Sequence, residues 1–97
     1  MSSTAVPITL AQRAIRSDEA LFQEVGGEAV LLDLASERYF GLDPVGTRIW
    51  ALLGEDDRLQ GVCDTLWAEY EAEPARIADD LLKLVAQLAE AGLVKLA

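Results

Sequence analysis

The chain has 97 residues, 52% of them hydrophobic and 26% charged, which fits one folded domain and argues against a disordered chain. Eight Lys and Arg against 17 Asp and Glu leave a net charge of −9, unfavourable for binding a phosphate backbone or an anionic membrane surface. With no histidine and one cysteine, Cys63, the chain can build no internal disulfide, no Cys–His or Ser–His dyad and no zinc site of the usual Cys/His kind.

In chain order, residues 1–18 read as an N-terminal tail. Ser2, Ser3, Thr4 and Pro7 open it, its apolar residues keep no firm period, and a short docked strand is expected at Ile8–Leu10. It lacks the continuous apolar stretch of a secretory signal, and no run reaches transmembrane length, so the expected location is cytoplasmic. Residues 19–97 then read as one domain.

"ALFQEV", "GG" and "EAVLLDLA" predict a β-hairpin, because Gly26 and Gly27 can both take the positive φ of a type I′ turn. In its second strand Val30, Leu32 and Leu34 share one face and Ala29, Leu31 and Asp33 the other, with both faces expected to be at least partly covered. "RYFGL", Arg38 to Leu42, is the third strand, where Gly41 leaves backbone bare for the approach of another chain. Tyr39 and Phe40 point to opposite faces of it, so one of them fills the core. Asp33 reads as an exposed strand polar or as a partner for a nearby basic residue that fixes a loop.

Three helices follow. Asp43 and Pro44 read as N-cap and first-turn proline of a helix that carries Val45, Ile49, Leu52 and Leu53 and ends at Gly54. Trp50 is read as a core anchor. Asp57 is expected to cap a second helix with Leu59, Val62, Cys63, Leu66 and Tyr70, in which Cys63 is a small buried residue. Pro74 opens a third helix that runs to about Ala91 and stops at Gly92. Its apolar residues make two adjacent stripes, Ile77, Leu81, Leu84, Leu88 and Ala78, Leu82, Val85, Ala89, more than the single stripe of a simple surface helix. One stripe can face the core; the other needs a second cover. "GLVKLA" closes the chain as an extended tail that packs back.

The segment "VLLDLASERYFGLDPVGTRIWALL" (Val30 to Leu53) followed by "ADDLLKLVAQLAEAGLV" (Ala78 to Val94) resembles the PqqD-like family. Within it, the likeness is to standalone recognition proteins of lasso-peptide biosynthesis. The resemblance rests on Leu31-Leu32-Asp33-Leu34, Tyr39-Phe40-Gly41-Leu42, Gly46, Ile49-Trp50, Leu53, Asp80, Leu88 and Gly92-Leu93-Val94. It implies an α+β, winged helix-turn-helix-like fold in which a three-stranded antiparallel sheet is followed by three helices. It also implies a RiPP recognition element, a non-enzymatic binder of a ribosomal precursor's leader peptide. The leader would add as a strand to the third strand, in the groove beside the third helix, and the loaded protein would work with a separate leader peptidase, a cysteine protease.

Residue patterns agree with that implication. Arg38, Tyr39, Phe40, Gly41 and Leu42 form an edge strand if strand order follows sequence order, and a free edge is where a peptide adds. From the third helix, Ile77, Asp80, Leu81, Leu84, Gln87 and Leu88 are the candidates to face the peptide. Leu84 with Asp80 and Gln87 is the expected lining, while Leu81 and Leu88 are core residues by default. Asp80 reads equally well as a solvated first-turn acid. No catalytic residue, metal or cofactor is expected. Three alternatives stay open: a PqqD-type chaperone delivering its precursor to a radical SAM enzyme, a winged-helix DNA-binding regulator, and a homodimer through the free edge. The second helix sets Arg58 against Asp64 and Glu69, which disfavours DNA.

Overall fold

The computed structural model describes residues 8–26 and 28–97. The chain runs β1 (Ala14–Arg16), β2 (Ala20–Val25), β3 (Glu28–Asp33), β4 (Arg38–Leu42), α1 (Pro44–Glu55), α2 (Leu59–Glu69), α3 (Pro74–Glu90) and β5 (Val94–Leu96). Strands β2, β3 and β4 form an antiparallel sheet in that order, so β4 is an edge strand, and the three helices follow it. This is the expected α+β, winged-helix-like class.

Two elements differ from the sequence reading. Ile8–Leu10 is not a strand, because Thr9 closes a turn: Gln12 N–H donates to its carbonyl at 3.1 Å, and Thr9 N–H donates to Gln12 Oε1 at 2.8 Å. The strand of this region is β1, which pairs antiparallel with β5, Ala14 opposite Leu96 and Arg16 opposite Val94. Ala14 N–H also donates to the Asp57 carbonyl, and Leu59 N–H to that of Gln12, so the N-terminal segment laces the α1–α2 loop to the C-terminal strand. Residues 1–7 and Gly27, to which parts of the tail and turn readings refer, lie outside the described residues. Gly26 has the positive φ, 63°, that the hairpin turn requires.

The helix ends show what decides a boundary. Asp43 caps α1 as its sequence predicts, since Gly46 N–H donates to Asp43 Oδ1 at 2.7 Å. The helix then passes through Gly54 to Glu55 instead of ending there. Gly54 packs under the end of the Arg16 side chain, whose guanidinium carbon a Cβ there would meet at 2.6 Å. That guanidinium also lies 5.1 Å from the Trp50 ring centroid and donates to the Trp50 carbonyl. Asp57 is not the cap of α2. Its carboxylate takes Arg13 at 2.6 Å and its carbonyl takes Ala14 N–H, and the N-cap position of α2 is filled by Arg58, which makes no side-chain cap. Gly92, with φ 79°, stops α3 as expected.

Packing beneath the sheet joins Leu31, Leu42, Ile49, Trp50, Leu66, Leu81, Val85 and Leu88 in one core. Cys63 is fully buried in it, and desolvation pushes its thiol pKa up. Asp33 is buried and shapes the β3–β4 turn, as one sequence reading has it, but its partners are the Ser36 hydroxyl at 2.7 Å and the Ala35 N–H, not a basic residue. The sheet's faces are uneven. Ala29, Leu31 and Asp33 are inside, whereas Val30 and Leu34 are exposed and Leu32 is half-buried, so the described residues do not supply the expected cover on both faces.

Candidate functional site

A groove of about 500 Å³ runs between the free edge of β4 and one flank of α3, with the start of α1 as its end wall. Its position follows from three local choices. The β3–β4 register sets Phe40 opposite Leu31 and Leu42 opposite Ala29, so these two β4 side chains turn toward the helices while Tyr39 and Gly41 turn away. The Asp43 cap starts α1 immediately after β4, which brings Val45 and Ile49 beneath the edge. Gly46 is buried there; a Cβ on it would reach 3.2 Å from Asp43 Oδ1 and 3.3 Å from Leu42 Cδ2. The helix start is therefore seated against the strand with almost no space between.

Helix α3 divides its apolar residues in a way that the two sequence stripes did not resolve. Ile77, Leu81, Val85 and Leu88 form the buried line, and Leu84 is half-buried on one side of it. Successive residues turn by about 100° on an α-helix, so Asp80, Lys83 and Gln87 share the Leu84 side, and all four line the groove. Asp80 stands 4.0 Å from Arg76 one turn earlier, and Lys83 bonds Asp79 at 3.0 Å, which raises the lysine's pKa.

Of the residues expected from sequence, the groove brings together Phe40, Gly41 and Leu42 with Asp80, Leu84 and Gln87. Leu81 and Leu88 lie beneath it with no exposed surface. Ile77 is buried and borders a smaller recess of about 100 Å³ with Leu66 and Tyr70, which meets the groove at Val45, Ile49 and Asp80. Arg38 is exposed outside the groove lining, and Tyr39, 78% exposed, is on the outer face of the sheet. Sequence reasoning missed Asp43, Val45, Gly46, Ile49 and Lys83 as lining residues. The signal for four of them was there: a capped helix starting one residue past an edge strand places its first turns beside that edge.

Chemically, the groove offers one wall of unsatisfied strand N–H and C=O groups, since every second residue of an edge strand directs both away from its partner. The floor is apolar (Leu42, Val45, Ile49, Leu84) and the far wall carries an amide, an acid and an amine. An extended peptide matches this layout, with backbone to β4 and alternate side chains to the floor. Among the described residues the lining holds no Ser, Thr, Cys or His. Among the described residues no cluster of three or more His, Cys, Asp or Glu could hold a metal, and no helix is long and apolar enough to cross a membrane.

The family described as Coenzyme PQQ synthesis protein D (PqqD) matches residues 28–94, the span from β3 into β5. The chain belongs to the PqqD family. This PqqD-family fold is similar to two solved structures. One is TbiB1 in complex with the TbiA(beta) leader peptide, 37% identical, with a TM-score of 0.77 over 84% of this chain and 94% of that one. The other is a lasso peptide synthetase B1 complexed with the leader peptide, 27% identical, with a TM-score of 0.72 over 88% of this chain and 98% of that one. No curated protein matches the sequence.

Proposed function

We propose that this PqqD-family chain is a leader-peptide recognition protein of lasso-peptide biosynthesis. It takes the leader as a fourth strand on β4 and presents it to a separate leader peptidase, and it performs no chemistry of its own. The observation that carries the reading is the free β4 edge facing the amphipathic flank of α3 across an open groove. The likeness over most of the chain to two proteins solved with leader peptides supports it.

In this role Arg38 to Leu42 supply the backbone ladder, Phe40, Leu42 and Leu84 take apolar leader side chains, and Asp80 and Gln87 hydrogen-bond polar ones. Ile77, Leu81 and Leu88 hold α3 at the right distance. A strand added this way is favoured by main-chain hydrogen bonds and made selective by the alternate side-chain pockets. The acidic charge, an α2 with no Lys or Arg of its own and the pairing of the preceding Arg58 with Asp56 leave that helix without the free basic surface a DNA-reading helix requires.

Fluorescence polarisation with a labelled leader from the adjacent precursor gene tests the reading, with a random DNA duplex at matched salt as control. Saturable leader binding beside a flat duplex curve is the expected result. Duplex binding beside a flat leader curve overturns it. Asp80→Ala and Gln87→Ala test the wall: if both keep the wild-type fold and leader affinity, those residues leave the site.

A further inference from the structure

Two glycines of the sheet differ in what calls for a glycine. Gly26 takes the positive φ of the hairpin turn, whereas Gly41 lies within β4, in a backbone conformation that any residue adopts. Crowding does not call for it either: a Cβ placed on Gly41 would meet no described atom within 4 Å. Glycine inside a strand weakens it, because more backbone freedom is lost and no side chain packs. Nothing among the described residues therefore requires glycine at this position. A strand glycine also marks where another chain approaches closely, and β4 is the edge to which the leader reading assigns a peptide.

Register tells which part of a leader would use the gap. Gly41 pairs with Val30 and lies two residues from Tyr39, so it opens on the sheet face turned away from the helices. There it sits in an open hollow of about 650 Å³, with Val25, Val30 and Tyr39 among its walls. Val30 is 42% exposed and Tyr39 78%. A fourth strand on β4 sets one outward side chain beside Gly41, while the residues on either side of it turn into the α3 groove. A side chain on residue 41 would fill that place. Over glycine, the incoming side chain can lie flat across the strand and reach Val30, with the Tyr39 ring at its flank. That geometry suits a ring: aromatic side chains cover strand glycines, pair well with β-branched neighbours and make edge contacts with a second ring. A carboxylate is disfavoured, because Glu28 lines the same hollow in a chain at −9.

We propose that Gly41 is a specificity-determining residue of the leader site: it leaves a seat on the outer side of β4 for one aromatic side chain of the leader, backed by Val30 and flanked by Tyr39. The proposal rests on the leader-binding reading above. It gives the bound strand two readers, with α3 testing the side chains on one side and the Gly41 seat testing a single ring on the other.

The test uses the full chain and Gly41→Val, whose side chain would fill the seat. Polarisation is measured with the labelled leader and with leaders carrying alanine at each position in turn, and both proteins are melted. Valine suits an exposed strand, so the expected Tm of Gly41→Val is at or above that of the wild type, while its leader affinity falls by about tenfold or more. One aromatic leader position should stand out: its replacement by alanine costs the wild type about fivefold or more and Gly41→Val less than about twofold. Gly41→Ala, the smaller change, should fall between the two and decides by the same criteria if Gly41→Val does not fold. Leader affinity kept within about twofold in Gly41→Val overturns the proposal. So does an alanine profile that is the same for both proteins, which would trace the loss to the backbone ladder, and so does a coupled position that is not aromatic. These three results leave the leader-binding reading intact. A wild type that binds no leader removes that reading, and this proposal with it.

Discussion

Strands β2 and β4 are both edges of the same sheet, yet among the described residues only β4 faces a groove fit for a peptide. Beside β4 stands the α3 flank, with an apolar floor and polar groups along its wall. Beside β2 the neighbours are Trp50 and Ala51 of α1 and Arg16, whose guanidinium is already engaged with the Trp50 ring and carbonyl. The difference teaches that a free edge is only half of a peptide site. Unpaired backbone groups attract any strand, and the second wall decides whether a particular one is held.

The largest effect separates the buried line of α3 from its groove side. Leu81→Ala removes a side chain with no exposed surface and is expected to cost about 2–5 kcal/mol, lowering Tm by roughly 10 °C or more in a thermal melt followed by circular dichroism. Next in size is the contrast between the two edges. Leu84→Asp is expected to weaken leader binding by about tenfold or more, near 1.4 kcal/mol, whereas Phe22→Ala beside β2 leaves it within about twofold. A large loss from Phe22→Ala would mean that the leader uses the other edge. Removing the α1 cap comes third. Asp43→Ala is expected to cost about 1 kcal/mol, while Asp43→Ser, which keeps an oxygen for Gly46 N–H, recovers most of it in a denaturant titration.

The smallest effect concerns pH. The hydrogen bond from Arg48 holds the Glu69 carboxyl below its ordinary value of 4.5. A depressed folded pKa means that the contribution is present above that value and is lost as pH falls through the lower, folded one. Glu69→Gln should therefore melt below wild type at neutral pH and converge with it in acid. A constant gap across that range would show that the pair does not contribute through its charge.

The parts of this fold that were legible in sequence have their cause within a few residues. Asp43-Pro44 carries its own cap and first-turn proline, and "RYFGL" lies between two turn signals. Strands β1 and β5 carry no such signal: each has three residues, and each is stabilised by the other across nearly the whole chain. Asp57 had the right residue type for a cap, but Arg13 and Ala14 claim it from a distance. The sheet was ambiguous for a different reason. Both faces of β3 carry leucine, so periodicity located the strand without saying which side the helices would cover. On the candidate site, α3 showed two apolar stripes, and only packing could separate the buried Val85 from the groove-facing Leu84.

The ladder joining Arg13 to Ala97 has a consequence for how the protein is made. The β2–β3–β4 sheet and the helices pair neighbours in sequence and can form as each segment leaves the ribosome. The β1–β5 pair joins residues near opposite ends and must wait until Leu96 has emerged. Until then the backbone of Ala14 to Arg16 lacks its strand partner, so the emergence of β5, and not that of the sheet, completes the domain.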